Sequence, residues 1–250
     1  MEFLKLVFGT CIMRGLPQFR IKLYADGADL NGMVEEYKKG IVSGFTTNPT
    51  LMKKAGVTNY EEFAKSALKA IPDLPISFEV FADDLPGMER EARKIGSWGK
   101  NVYIKIPVTN TRGETTATLV KKLSHDGLKL NITAILTSEQ VNTVAKAVST
   151  DTPSIVSVFA GRIADTGVDP IPIMKESVKI LKTNPSAELL WASTRELLNL
   201  VQAESCGCDI ITITNDILKK VPLVGKDLTE LSLETVQMFH SDATSAGYRI

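Results

Sequence analysis

From residue 21 onward the chain alternates short runs of β-branched and apolar residues with longer stretches whose apolar positions recur every three or four residues. A period of two marks strands and a period of 3.6 marks amphipathic helices. The strand-like runs sit at 21–26 (IKLYAD), 43–47 (SGFTT), 76–81 (ISFEVF), 102–107 (VYIKIP), 129–134 (KLNITA), 154–159 (SIVSVF), 187–192 (AELLWA) and 209–214 (DIITIT). The stretches between them carry helix punctuation. Thr58-x-x-Glu61 and Thr137-x-x-Gln140 have the capping-box pattern, and Asp83-Asp84 before Pro86 reads as a helix start. Gly127 and Gly207 read as helix stops. Residues 227–243 read as a further C-terminal helix. Eight strand–helix units in about 230 residues is the size of a (β/α)8 barrel. A doubly wound open sheet competes with it, and strand counting alone does not separate the two.

Strand side chains alternate between faces, and a strand covered on both faces should be apolar throughout. Here polar residues fall inside the runs on one parity. Lys105 lies opposite Val102, Ile104 and Ile106. Asn131 and Thr133 lie opposite Leu130, Ile132 and Ala134. Ser77 and Glu79 lie opposite Phe78 and Val80, and Ser157 and Phe159 lie opposite Val156 and Val158. In a barrel the apolar parity would pack on helices and the polar parity would line the interior near the C-terminal mouth, where barrel enzymes keep their chemistry. The alternative for each residue taken singly is a satisfied core group or an edge-strand residue.

Lys105 is the most informative of these positions. An ammonium inside an apolar strand is disfavoured unless it is paired or neutral. A confined site favours the free amine, which can attack a carbonyl and form a Schiff base. A lysine that snorkels to solvent beside Pro107 is the competing reading. Asp26 ends the first run and Glu79 lies in the third, so two carboxylates and one lysine form a candidate proton-transfer set. Arg162 and Arg195 follow the sixth and seventh runs and could hold a phosphate. Ser193-x-x-Glu196 is a further capping pattern, and a helix N-terminus is itself an anion site.

Composition narrows the function classes. The 250 residues are 44% hydrophobic and 23% charged, with 29 basic and 29 acidic side chains. A net charge of zero gives no overall electrostatic attraction to nucleic acid or to an anionic membrane. No apolar run approaches the roughly 20 residues of a spanning helix. Three cysteines (Cys11, Cys206, Cys208) suit a reducing, cytoplasmic compartment better than a disulfide framework. Cys206 and Cys208 read as core and helix-end residues, and His125 and His240 as surface residues. Two histidines leave little room for a His-based metal site or triad. Residues 1–20 are partly apolar but interrupted by Glu2, Lys5 and Arg14, which reads as an N-terminal extension or a start at Met13 rather than a signal peptide. The organisation expected is that extension followed by a single barrel domain over 21–250, C-terminal helix included.

Taken in order, LYADGAD (23–29), GFTTNPT (44–50), VYIKIPVT (102–109), LNITA (130–134), SVFAGRI (157–163) and ASTR (192–195) resemble the transaldolase family, including the short fructose-6-phosphate aldolases. The resemblance covers most of 21–220. It implies a metal-free and cofactor-free (β/α)8 barrel that works through a lysine Schiff base on sugar phosphates. It implies that Lys105 is the Schiff-base lysine and that Asp26 handles substrate hydroxyl protons. Glu79 and Thr133 match the pair that holds the catalytic water. Thr46, Asn48, Asn131 and Ser157 match polar groups around the sugar, and Arg162, Ser193 and Arg195 match phosphate-binding positions. Glu79 and Phe159 resemble the transaldolase side of the family, whereas the aldolase branch tends to have Gln and Tyr there. A phenylalanine cannot exchange a proton with a bound three-carbon carbanion, so the fragment would wait for an aldehyde acceptor.

The activity this implies is transfer of a dihydroxyacetone unit between sugar phosphates. The rivals are cleavage that releases free dihydroxyacetone and a non-catalytic phosphosugar-binding barrel. Gly27, where the family commonly has Thr, and Trp191 before ASTR depart from its pattern. Short members of the family form rings through a C-terminal helix, so the resemblance also implies a homo-oligomer.

Overall fold

A computed structural model describes residues 19–250. Residues 1–18 of the expected N-terminal extension, with Met13 and Cys11, lie outside the described residues. Residues 19–218 form one compact unit, and Lys219–Ile250 belong to a second.

The first unit is a closed barrel of eight parallel strands in sequence order. They are β1 (Lys22–Asp26), β2 (Gly44–Thr46), β3 (Ile76–Glu79), β4 (Val102–Pro107), β5 (Leu130–Ile135), β6 (Ser154–Val158), β7 (Ala187–Trp191) and β8 (Ile210–Thr214). β1 pairs with β8 over its whole length, and that pairing closes the barrel and excludes the open sheet. The connecting helices are α1 (Leu30–Lys39), α2 (Pro49–Lys54), α3 (Tyr60–Ala70), α4 (Leu85–Gly96), α5 (Ala117–His125), α6 (Ser138–Ala147), α7 (Ala160–Ala164), α8 (Ile171–Leu181), α9 (Leu198–Cys206) and α10 (Asn215–Leu218).

All eight expected runs became strands. The apolar parity is buried as patterning requires: Ile76, Phe78, Ile104, Ile106, Leu130, Ile132, Val156 and Val158 are each at most 1% exposed. Helices α4, α5 and α6 pack over β4, β5 and β6. Each such side chain contributes about 1.5–3 kcal/mol by leaving water. One residue left its expected face. The β5–β6 register shifts between Ile132 and Ile135, and Ala134 takes φ 61°. That bulge turns Ala134 away from the face of Leu130 and Ile132 and into the mouth cavity.

Most of the punctuation stands. Thr137 and Gln140 form the reciprocal capping box of α6, and Asp84 accepts from the Gly87 N–H to start α4. Gly207 ends α9 in the left-handed region, at φ 82°. Two starts differ. Asn59, not Thr58, caps α3, accepting from the Glu62 N–H at 3.1 Å. Ser193 caps no helix: α9 begins at Leu198, and Asn199 Oδ1 accepts from the N–H groups of Arg195 and Glu196.

The second unit holds the expected C-terminal helix, α11 (Leu228–Ser245). Asp227 caps it by accepting from the Thr229 and Glu230 N–H groups, and none of its residues is buried. Among the described residues no helix is long and apolar enough to cross a membrane.

Candidate active site

At the C-terminal ends of the strands a cavity of about 440 Å3 opens. All twelve of the expected site residues line it: Asp26, Thr46, Asn48, Glu79, Lys105, Asn131, Thr133, Ser157, Phe159, Arg162, Ser193 and Arg195. Strand register brings the central ones together. Glu79 pairs with Lys105 and Lys105 with Asn131, so three neighbouring strands present them in one layer.

Lys105 is 6% exposed and does not snorkel to solvent. Its Nζ donates to the Thr47 carbonyl at 2.7 Å and lies 3.1 Å from Glu79 Oε2. The charge is therefore compensated inside the cavity, as a buried ammonium requires.

Beside it is a chain of small polar groups. Ser157 Oγ donates to Asn131 Oδ1 at 2.7 Å, and Asn131 Nδ2 donates to Ser77 Oγ at 3.0 Å. These bonds hold the amide in one orientation. Thr133 is 2% exposed, and its hydroxyl has no hydrogen-bond partner among the described residues although it borders the cavity. A buried hydroxyl left in that state costs about 1–3 kcal/mol, so it suits a group whose partner is a bound molecule.

Asp26 ends β1 on the other side of Lys105. Its Oδ1 accepts from Thr46 Oγ1 at 2.9 Å, and Thr46 in turn shares a 2.5 Å hydrogen bond with Thr212. Asn48 Oδ1 caps α2 by accepting from the Leu51 N–H, and the Asn48 side chain also hydrogen-bonds Asp26. Burial pushes the Asp26 carboxyl above its ordinary value. The Lys105 charge and the two hydrogen bonds oppose that rise without cancelling it.

The cationic rim is built on the β6 and β7 connections. Arg162 projects from α7 with its guanidinium 5.9 Å from the centre of the Phe159 ring. Arg195 is gripped by Asp165, Nε to Oδ1 at 3.1 Å and Nη2 to Oδ2. The two connections nearly touch: a Cβ on Gly161 would lie 1.6 Å from the Ser193 carbonyl oxygen, so only glycine fits there. Ser193 itself holds φ 65°, an uncommon conformation for a residue with a Cβ.

Sequence reasoning missed several participants. Thr212 and Thr214 of β8 line the cavity, and the one-parity polar pattern that exposed the other strands also runs through IITIT. Lys54 and Thr50 reach the mouth from α2. Asp165 had no signal, because its partner Arg195 lies 30 residues away. Away from the site, Cys206 and Cys208 are buried free thiols and His125 and His240 are exposed, as expected.

Fold and site together place the chain among (β/α)8 barrels with a lysine-centred cavity at the C-terminal mouth. More particularly, it belongs to the transaldolase/fructose-6-phosphate aldolase family, whose model matches residues 23–250. Its relatives include the "Probable transaldolase" of Caldicellulosiruptor saccharolyticus, 37% identical over 216 residues (86% of this chain and 94% of that protein). Another, of the same name, is that of Thermoanaerobacter sp., 35% identical over 231 residues (92% of this chain and all of that protein). The CutC protein of Streptococcus agalactiae superposes with a TM-score of 0.55 over 77% of this chain and 97% of that one. At 12% identity this last likeness concerns the fold alone.

Proposed function

We infer that the protein is a transaldolase that moves a dihydroxyacetone unit from a ketose phosphate to an aldose phosphate through a Schiff base on Lys105. The observation that carries this reading is the position of one nitrogen. Lys105 Nζ is buried in the cavity, 3.1 Å from Glu79 and within the field of Asp26.

Glu79 is placed to take the proton that Lys105 must shed before its lone pair attacks the ketose carbonyl. The resulting carbinolamine loses water and becomes an iminium. Glu79 and the unpartnered Thr133 hydroxyl suit the holding of that water. Asp26 takes the proton of the C4 hydroxyl, the C3–C4 bond breaks, and its electron pair flows into the iminium to leave an enamine. The aldose phosphate departs. An acceptor aldehyde then takes the enamine carbon, its oxygen recovers a proton from Asp26, and water releases the new ketose.

Thr46 and Asn48 hold the Asp26 carboxylate, and Asn131 and Ser157 suit the sugar hydroxyls. Arg162, Ser193 and Arg195 suit the phosphate, whose remote binding orients the reacting carbons. Phe159, with no exchangeable proton, favours transfer over release of free dihydroxyacetone. The chain's neutral balance and buried thiols fit a cytoplasmic enzyme, and the exposed apolar side chains of α11 fit a homo-oligomer.

The test is borohydride reduction in the presence of fructose 6-phosphate. It should add a reduced three- or six-carbon unit to Lys105, and Lys105→Met should abolish the adduct. An unmodified lysine, or an adduct indifferent to that substitution, would refute the mechanism. Turnover without an acceptor aldehyde would instead identify the cleavage reaction.

A further inference from the structure

The hydrogen bonds around Lys105 contain a substitution of one partner for another. In a parallel pair, alternate residues of a strand bond through both N–H and C=O to the same neighbour. β2 and β3 begin that way: Phe45 N–H donates to the Pro75 carbonyl at 2.8 Å, and Thr47 N–H to the Ser77 carbonyl at 3.2 Å. The next step of the ladder would send the Glu79 N–H to the Thr47 carbonyl, and the N–H of residue 49 to the Glu79 carbonyl. Residue 49 is proline, which has no N–H to give. β2 has by then ended and α2 begun.

The Tyr60 hydroxyl fills both places. It accepts from the Glu79 N–H at 2.7 Å and donates to the Glu79 carbonyl at 2.9 Å. The Thr47 carbonyl, relieved of the ladder, accepts from Lys105 Nζ at 2.7 Å. Tyr60 is well placed for this. It opens α3 just after the Asn59 cap, and its ring meets Phe78 and Trp98 edge-on and Phe81 at 4.7 Å. Burial raises the phenol well above its ordinary range, so the hydroxyl remains a neutral donor and acceptor.

We propose that Tyr60 is a positioning residue for the Schiff-base chemistry: its hydroxyl replaces the Thr47 carbonyl as partner of the Glu79 backbone, and so reserves that carbonyl for Lys105 Nζ. It touches neither substrate nor reacting atom. It fixes the lysine nitrogen between Thr47 and Glu79, and it sets the backbone from which the Glu79 carboxylate reaches that nitrogen. Without the hydroxyl, the Glu79 N–H can turn to the Thr47 carbonyl and complete the ladder, and Lys105 Nζ loses an acceptor. The proposal rests on Lys105 being the reacting amine.

The experiment compares the intact protein with Tyr60→Phe, which keeps the ring and its packing, and with Phe81→Leu, which disturbs the packing and keeps the hydroxyl. For each, kcat, KM for fructose 6-phosphate, melting temperature and the rate of borohydride-trapped adduct formation are measured. Tyr60→Phe should lose on the order of 10- to 100-fold in kcat and in adduct formation, with KM changed less than about twofold. Phe81→Leu should keep kcat even where its melting temperature falls as far. Parental kcat and trapping rate in Tyr60→Phe would overturn the proposal, as would an equal kcat loss in Phe81→Leu at matched stability. Should Tyr60→Phe fail to fold, 3-fluorotyrosine at position 60 keeps the ring and alters the hydroxyl's donor and acceptor strength. A change in kcat at constant KM then supports the proposal, and no change overturns it. Failure of the unsubstituted protein to form any adduct would bring down the Schiff-base reading itself, a result separate from every variant comparison.

Discussion

Asp26 places a carboxyl where solvation is poor. Its carboxyl is pushed above the ordinary value by burial, and Lys105, Thr46 and Asn48 recover only part of that loss. A folded-state value above the unfolded one means that the folded chain holds the proton longer. The associated stability is fully present in acid and is lost as pH rises from the unfolded value through the folded one. At neutral pH, where the unfolded chain ionises this group freely, burying the carboxyl therefore costs the fold stability. Asp26→Asn keeps an oxygen acceptor for the Thr46 hydroxyl and removes the ionisable group. It should raise the melting temperature by a few degrees, on the order of 1 kcal/mol, while transaldolase turnover falls about 100- to 10,000-fold. Calorimetry at neutral and acid pH checks the sign, because the stability gain should shrink in acid. A lower melting temperature at neutral pH would contradict it. Glu79 and Lys105 were legible as one-parity polar residues, and Asp26 as the acid that ends the first run. The Thr47 carbonyl was not, since a backbone acceptor leaves no mark in a residue type.

At the scale of elements, the arginine rim depends on how closely two connections approach. A Cβ on Gly161 would meet the Ser193 carbonyl oxygen at 1.6 Å and the Arg195 Cγ at 3.2 Å. Gly161→Ala must push α7 away from the β7 connection, at about 1–3 kcal/mol of overpacking strain. Arg162 and Arg195 would move apart, so KM for the sugar phosphate should rise more than kcat falls. Steady-state kinetics beside a melting curve tests this, and an unchanged KM would show that the rim does not depend on that contact. Capping shows why local signals locate an element more safely than its first residue. Thr58-x-x-Glu61 and Asn59-x-x-Glu62 are both acceptable starts for α3. Asn59 won, and Glu61 is instead drawn outward into ion pairs with Lys65 at 2.8 Å and Lys94 at 2.6 Å. Lys94 lies on α4, a partner that the spacing within α3 does not reveal.

For the molecule as a whole, α11 exposes Leu228, Leu233, Val236, Met238 and Phe239, each more than half accessible. An apolar series of this size on one helix is costly in a solitary chain and suits a contact between copies. Sedimentation should report a homo-oligomer, and Phe239→Glu should shift it toward smaller species while single-site chemistry persists. A monomer at all concentrations would dismiss the oligomer.

The amino-acid order by itself determined the strand–helix alternation and the candidate polar set. Eight alternating runs specify strands joined by helices, and polar residues gathered on one parity point to a shared polar face. Both are local periodicities, which is why they survive in one dimension. Closure of the barrel through β1 and β8, the bulge at Ala134, the Asp165 grip on Arg195 and the Tyr60 hydroxyl in place of Thr47 were decided only in the tertiary structure. Each joins groups far apart in the chain, and the partner is chosen by distance and by which hydrogen-bonding atoms remain unserved once the strands have paired.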